Sequence, residues 1–300
     1  MAVVFINDRI VSEREAVVSV FDHGFVFGEG VYEVLRTYGR EPFLYGRHAQ
    51  RMRESAARIA LTVPFSDERL LGWIRDTIAA APELDEAYVR ILLTRGIGEF
   101  SYDPRACPSP TLVIIVKAHV PPAPAASKDG VRVALVDVTR NHPRSVSPLI
   151  KSNNLLNNVL AMQQAIGRGA FEALMRNYRG ELCECSQSNV FLVRDGEVVT
   201  PPIEAGLLAG VTRAFVFELG RLCGVPVREA VLVEAHLAAA DEAFLTSTTR
   251  EIVPIVAVDD QTVGTGVPGP VTRRLMAEFR TQTERFVREH AEVFPVGLRT

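Results

Sequence analysis

Of the 33 lysines and arginines in this 300-residue sequence only Lys117, Lys128 and Lys151 are lysines, so positions that ask merely for positive charge have been filled with arginine. Lys117 ends an apolar run and Lys128 lies in a Pro/Ala-rich stretch, both ordinary solvent positions. Lys151 differs: it follows Pro148-Leu149-Ile150 and precedes Ser152-Asn153-Asn154, at what reads as the start of a helix. An amine held against apolar neighbours is more easily kept in the neutral form that attacks a carbonyl, which arginine cannot do. Standing alone, such a lysine reads as a helix-start charge with an exposed tip. Other polar groups could complete a site. Glu184 precedes Cys-Ser-Gln-Ser-Asn-Val-Phe191 and by itself reads equally well as a turn acid. Gly210-Val211-Thr212 opens a predicted helix, where free N–H groups and the helix dipole favour a phosphate dianion or simply form a cap. Arg51, one of many arginines, reads alone as a solvated helix residue.

Five stretches in order carry more than any one of them. Lys151-Ser-Asn-Asn-Leu-Leu-Asn-Asn-Val-Leu-Ala161, Glu184-Cys-Ser-Gln-Ser-Asn-Val-Phe191, Leu207-Leu-Ala-Gly-Val-Thr-Arg213, Phe27-Gly-Glu-Gly-Val-Tyr-Glu33 and Thr246-Ser-Thr-Thr-Arg-Glu251 span nearly the whole chain. Together they resemble the class IV (fold type IV) aminotransferases, which include branched-chain aminotransferases, D-amino acid aminotransferases and aminodeoxychorismate lyase. The resemblance implies pyridoxal 5'-phosphate as cofactor, whose chemistry needs an amine for the aldehyde, a carboxylate for the pyridine nitrogen and a cradle for the phosphate. On this basis Lys151 holds the aldehyde and shuttles the proton at the substrate Cα. Glu184 pairs with the ring nitrogen, Leu208 lies against the ring, and Arg51, Val211, Thr212, Ser247 and Thr248 take the phosphate.

The segment Ala87-Tyr88-Val-Arg90 through Arg95-Gly-Ile-Gly-Glu-Phe-Ser-Tyr-Asp-Pro104 resembles branched-chain aminotransferases. By that analogy Tyr88 and Arg90 bind substrate carboxylates, with Tyr32, Arg36 and Thr249 in the same pocket, a guanidinium being suited to bidentate carboxylate recognition. The alternative for Tyr88 and Arg90 is that they merely share a strand face. D-amino acid enzymes typically carry Arg-x-His in the loop after Thr-Arg-Gly, and here that loop has neither residue. Branched-chain enzymes usually have Tyr five residues after the lysine, where this chain has Leu156, apolar as in the D-amino acid enzymes. The pattern is a hybrid. It points first to transfer from a branched-chain L-amino acid to 2-oxoglutarate by a ping-pong route, second to a D-amino acid or (R)-amine aminotransferase, and third to aminodeoxychorismate lyase, which Thr246-Ser-Thr-Thr249 fits less well. Family members are dimeric or larger, so a homodimer is expected.

The elements that must position these residues follow from periodicity and turn signals. Val3–Ile6 reads as a strand ended by Asn7-Asp8. A helix over 46–61 places Met52, Ala56, Ile59 and Ala60 on one face with Arg51 and Arg53 at its flanks, and a second, capped by Ser66, carries Leu70, Ile74 and Ile78. Strands follow at 87–94 and 111–117. The stretch 119–130 reads as a linker. Beyond it lie a strand over 131–138, a helix over 154–167, short strands over 171–199 broken at 177–180 and 195–196, a helix over 211–223, strands at 243–246 and 251–258, and a helix over 270–290. The reading is α+β in two domains: a smaller N-terminal α/β domain over 1–120, a linker over 121–130, and a larger mixed C-terminal domain over 131–300 that carries the cofactor.

Composition of 47% hydrophobic and 23% charged residues suits a globular chain whose core needs no disulfide or metal. A net charge of -3 and a pI near 6.1 give no basic footprint for nucleic acid. Cys107, Cys183, Cys185 and Cys223 lack paired zinc-type spacing. The N-terminal residues do not read as a signal peptide, and no apolar run reaches membrane-spanning length, so small amino acids and oxo acids in the cytoplasm are the expected partners.

Overall fold

The computed structural model describes residues 2–290. Its contacts divide the chain into two units. The first takes residues up to Val120, Ile150–Asn154 and the chain from Thr283; the second takes Pro121–Leu149 and Leu155–Gln282. This differs from the expected division in three places, the first being that the end of the last helix, from Thr283 to His290, belongs to the first unit rather than to the C-terminal one. The stretch expected as a linker contains a short helix, α4 (Pro124–Lys128), with Ala126 buried, because Pro124 falls in the first turn, where its missing N–H has no partner to lose. And the segment holding Lys151 belongs to the first unit, where Ser152 bridges antiparallel to Val31.

In the first unit six strands run in the order β2 (Arg9–Ser12), β1 (Val3–Ile6), β6 (Thr111–Ala118), β5 (Ala87–Thr94), β3 (Gly30–Tyr38) and β4 (Glu41–Pro42). Strict alternation sorts the side chains. Ala87, Val89, Ile91 and Leu93 of β5 are buried, as are Val31 and Leu35 of β3, in one core with Leu70, Ile74 and Ile78 of α3 (Asp67–Ala79) and Met52 and Ala56 of α2 (Tyr45–Arg58). Ser66 caps α3, its Oγ accepting from Arg69 N at 3.2 Å. The alternate residues share the other face: the register sets Tyr32 opposite Leu92, Val34 opposite Arg90 and Arg36 opposite Tyr88. Period two therefore delivers four of the five residues expected to meet substrate, Tyr32, Arg36, Tyr88 and Arg90, to one surface, and Thr249 lies in the second unit.

Lys151 does not start a helix. The nearest helix, α5, begins at Leu156. Lys151 sits instead in an extended segment laid against β3, its carbonyl accepting from Tyr32 N at 2.9 Å while Asn153 N donates to Gly30 O at 3.0 Å. Gly30 permits this approach, since a Cβ there would meet Asn153 Nδ2 at 2.6 Å and Leu93 O at 2.8 Å.

The second unit is built on a nine-stranded sheet ordered β12 (Val227–Glu229), β11 (Glu197–Thr200), β10 (Asn189–Arg194), β13 (Glu242–Ser247), β14 (Glu251–Val258), β7 (Val131–Leu135), β8 (Glu172–Arg176) and β9 (Leu182–Cys185), with β15 (Gln261–Thr262) pairing β14. Its central strands are buried on both faces, as their unbroken apolar runs require, and Phe191 and Phe244 stack at 4.8 Å. α5 (Leu156–Gly167), α6 (Val211–Cys223), α7 (Glu234–Ala238) and α8 (Pro270–His290) complete the helices beyond β7. Among the described residues no helix is long and apolar enough to cross a membrane.

Gly30→Ala should cost about 1–3 kcal/mol, the usual cost of overpacking, because the backbone atoms that meet the new methyl cannot rotate away. Urea unfolding measures it, and an unchanged midpoint would show that the Lys151 segment is not tied to β3 in this way.

Candidate active site

Two sets of side chains emerge, one in each unit. In the first, Lys151 Nζ and the guanidinium of Arg90 each lie 4.3 Å from the centre of the Tyr32 ring, so an amine and a cation share one aromatic ring. Arg36 lies 4.1 Å over Tyr38 and faces Tyr88 across the ladder, and Lys117 lies 5.0 Å over Tyr88. Lys151 N donates to Ser55 Oγ of α2 at 3.2 Å, fixing the main chain from which the amine projects.

Arg51 lies elsewhere than its expected place on a helix flank. It is buried, and its Nε and Nη2 donate to the two oxygens of Glu33 at 2.7 Å each. His48, one turn earlier on α2, places Nδ1 2.7 Å from Glu33 Oε2. Glu33 has no solvent exposure. Burial alone would raise its carboxyl, but the Arg51 guanidinium and then His48 outweigh that and hold it far below the usual carboxylate range. Burial pushes His48 down, Glu33 opposing it and the charges of Arg51 and Lys151 adding to it. Glu33 and His48 were not anticipated as site residues. The signal was present: Glu33 falls in phase with Val31 and Leu35, so a strand reading of 30–38 puts an acid on the core face, where it needs a cation.

In the second unit Glu184 is 5% exposed. Its Oε1 accepts from Arg140 Nε at 2.6 Å and its Oε2 from Leu208 N at 2.9 Å, with Asn189 Nδ2 at 3.5 Å. Asn189 also donates to Leu208 O at 3.1 Å, so one amide fastens the Leu208 loop beside Glu184 of β9. Gly210 lies so close that a Cβ would come within 2.0 Å of Asn189 Oδ1. As N-cap of α6 it offers no side-chain acceptor, which leaves the first-turn N–H groups of Val211 and Thr212 without a side-chain cap. Ser247 pairs with Glu251 in register, and the three residues between them, Thr248, Thr249 and Arg250, form a tight hairpin made possible by the left-handed φ of 59° at Glu251. Thr246 sits opposite Asn189, and its buried Oγ1 has no hydrogen-bond partner.

These features fit the cofactor that the sequence implies. An uncapped helix start, two adjacent hydroxyl residues, an unpartnered buried hydroxyl and a glycine cradle suit a phosphate, and an oriented carboxylate suits a pyridine nitrogen. Glu184, Leu208, Val211, Thr212, Ser247, Thr248 and Thr249 belong to this unit, and Lys151, Arg51, Tyr32, Arg36, Tyr88 and Arg90 to the first. Arg140 and Asn189 were missed as site residues; neither lies in a periodic position that would betray a bond to Glu184.

Glu33→Gln should destabilise the protein by about 3–5 kcal/mol, because it leaves Arg51 buried without its counter-charge. Since the folded carboxyl lies below its ordinary value of 4.5, its contribution is complete above that pH and is lost as acid carries the solution through the folded value. Unfolding curves from pH 7 to pH 3 should therefore fall more steeply for the wild type than for Glu33→Gln. Parallel curves would remove Glu33 from that role.

The family model described as Amino-transferase class IV matches residues 30–258. A protein of Methanocaldococcus jannaschii, provisionally designated a branched-chain-amino-acid aminotransferase, is 35% identical over 277 residues, covering 92% of this chain and 95% of that one. The D-alanine aminotransferase of Listeria innocua is also 35% identical, over 294 residues, covering 97% and 98%. Among solved structures, the branched-chain amino acid aminotransferase of Escherichia coli superposes with a TM-score of 0.89 at 30% identity over 93% of both chains. The branched-chain amino acid aminotransferase of T.th., with pyridoxamine 5'-phosphate, gives 0.88 at 27% identity over 96% of both. The chain belongs to the class IV aminotransferases and is a pyridoxal-phosphate-dependent transaminase.

Proposed function

We propose that the enzyme moves the amino group of a branched-chain L-amino acid to 2-oxoglutarate by a ping-pong mechanism. The observation that carries this reading is the shared face of β3 and β5, where Arg36 and Arg90 offer guanidiniums for carboxylates while Val34, opposite Arg90, and Leu92, next to Arg90 on the side away from Arg36, offer aliphatic surface. Such a face accepts a substrate with an apolar side chain and also one with a second carboxylate, as the two halves of the cycle require.

When bound, pyridoxal phosphate supplies an electron sink for the pair left at the substrate Cα. Lys151 would hold the cofactor aldehyde, and its Nζ would carry the Cα proton. Glu184, kept in place by Arg140 and the Leu208 amide, holds the proton at the pyridine nitrogen. Val211, Thr212, Ser247 and Thr248 would hold the phosphate, and Arg51, pre-set by Glu33, would supply a guanidinium for it. Tyr88 and Arg90 bind carboxylate, with Tyr32, Arg36 and Thr249 lining the pocket. The working form is a homodimer or larger in the cytoplasm; exposed apolar side chains at Phe21, Phe25, Ile97, Phe100 and Tyr102 of the first unit support a partner surface. A D-amino acid or (R)-amine donor is the second reading, favoured by Leu156, exposed and without the phenol usual in branched-chain enzymes.

The purified yellow enzyme, mixed separately with L-leucine, D-alanine and an (R)-amine and with no oxo acid present, should lose its visible cofactor band with L-leucine alone. Loss with D-alanine or the amine instead would replace the first reading with the second. Lys151→Ala should lack both the band and turnover, and activity retained in that variant would remove Lys151 from the mechanism. Light scattering should give a mass of at least two chains; a monomer at assay concentration would contradict the assembly.

A further inference from the structure

Glu172, the first residue of β8, has no solvent exposure, and its backbone pairing to Val133 in the sheet makes no use of its side chain. The carboxylate is instead the meeting point of two loops. Oε1 accepts from Gln187 N and, at 3.3 Å, from Ser186 Oγ; Oε2 accepts from Ser188 Oγ at 2.8 Å and from Arg250 Nη1. Four donors match the four acceptor positions of a carboxylate. Arg250 closes the arrangement, donating from Nη2 to Gln187 Oε1 at 3.0 Å and lying 4.9 Å over the Phe171 ring.

The positions of these partners matter more than their number. Ser186, Gln187 and Ser188 are three of the four residues between Glu184 and Asn189, so a shift of that loop displaces the carboxylate and the amide that bonds to Leu208. Arg250 ends the hairpin that presents Ser247, Thr248 and Thr249, next to the left-handed Glu251. We propose that Glu172 is a positioning residue which, through Arg250 and the 186–188 loop, locks the hairpin assigned to the phosphate to the loop assigned to the ring nitrogen, and thereby sets the affinity for the cofactor. This inference rests on the transaminase site described above. Glu172 touches neither cofactor nor substrate in this scheme; it acts by holding both loops at one separation, as outer-shell partners do around metal ligands.

The test is titration of the cofactor-stripped protein with pyridoxal phosphate, followed by absorbance, alongside thermal melting of the same stripped protein. Arg250→Met, which alters a side chain near the surface, should raise the dissociation constant about tenfold, the low end of outer-shell effects, while the stripped protein melts within a few degrees of wild type. Arg250→Lys, retaining one charged donor, should recover part of the affinity. Glu172→Gln combined with Arg250→Met should bind no more weakly than the weaker single variant, since both break one tie. An unchanged dissociation constant in Arg250→Met overturns the proposal, as does a fall in stripped-protein melting that matches the fall of the loaded form. If the wild type itself takes up no pyridoxal phosphate, the transaminase site falls and the clamp with it; if the wild type binds and turns over while Arg250→Met matches it, the clamp alone falls.

Discussion

A carboxylate moved out of water loses several kcal/mol of hydration, and only a partner of matching shape with further donors around it restores the balance. Glu33, Glu172 and Glu184 are each buried, and each is met by an arginine: Arg51, Arg250 and Arg140. Pairs of this kind contribute little net stability compared with well-packed apolar residues. Their return is geometric. A planar guanidinium bonded to a carboxylate has few orientations left, and so does everything attached to it. Arg51 is aimed by Glu33, Glu184 is aimed by Arg140, and the hairpin after Ser247 is fastened through Arg250. The placement of groups in both units thus rests on one repeated interaction, strong only because water is excluded from it.

That constraint also gives the composition a physical meaning. A fork of fixed donors can satisfy two carboxylate oxygens together, whereas an ammonium on a flexible stem cannot hold the same register. A chain that builds its site on buried pairs therefore draws on arginine, and 33 basic residues include three lysines. What lysine offers instead is an amine able to lose its proton and form a carbon–nitrogen bond. Lys151 lies beside the Tyr32 ring and against β3.

Much of this was legible in sequence because period and turn chemistry are local. The strands at 87–94 and 111–118, the Ser66 cap, the helical repeat from Leu70 to Ile78 and the helix over 270–290 follow from patterns within one segment. The site residues named from the resemblance are divided between the two units. What escaped depends on distant segments. Whether residues 150–154 extend toward α5 or lie on β3 is decided by Gly30, far back in the chain, whose missing Cβ opens the space. Arg140 and Glu184 are 44 residues apart, and Glu172 and Arg250 are 78 apart. No window on the sequence contains both partners. The flank position expected for Arg51 failed through the same blindness, since helical phase alone cannot register an acid at position 33.

Substrate choice is the point where overall likeness stops being informative. Relatives named for branched-chain and for D-alanine chemistry are equally identical to this chain at 35%. The difference must then lie in local geometry. If one amine takes the Cα proton from a fixed side, replacing an L-amino acid by its D form exchanges the places of the side chain and the carboxylate. Handedness is consequently read by wherever the guanidinium stands relative to the amine. In the first unit Lys151 and Arg90 flank the same ring at equal distances, and Arg36 lies farther along the same face beyond Val34. A carboxylate drawn to Arg90 leaves the aliphatic surface of Val34 and Leu92 for the side chain, and the reverse arrangement would bring an alkyl group against a cation. Which substituent meets Arg90 therefore turns on which of the two loses less on leaving water for that face, and an alkyl group placed on a guanidinium gains nothing to offset the hydration that the cation gives up.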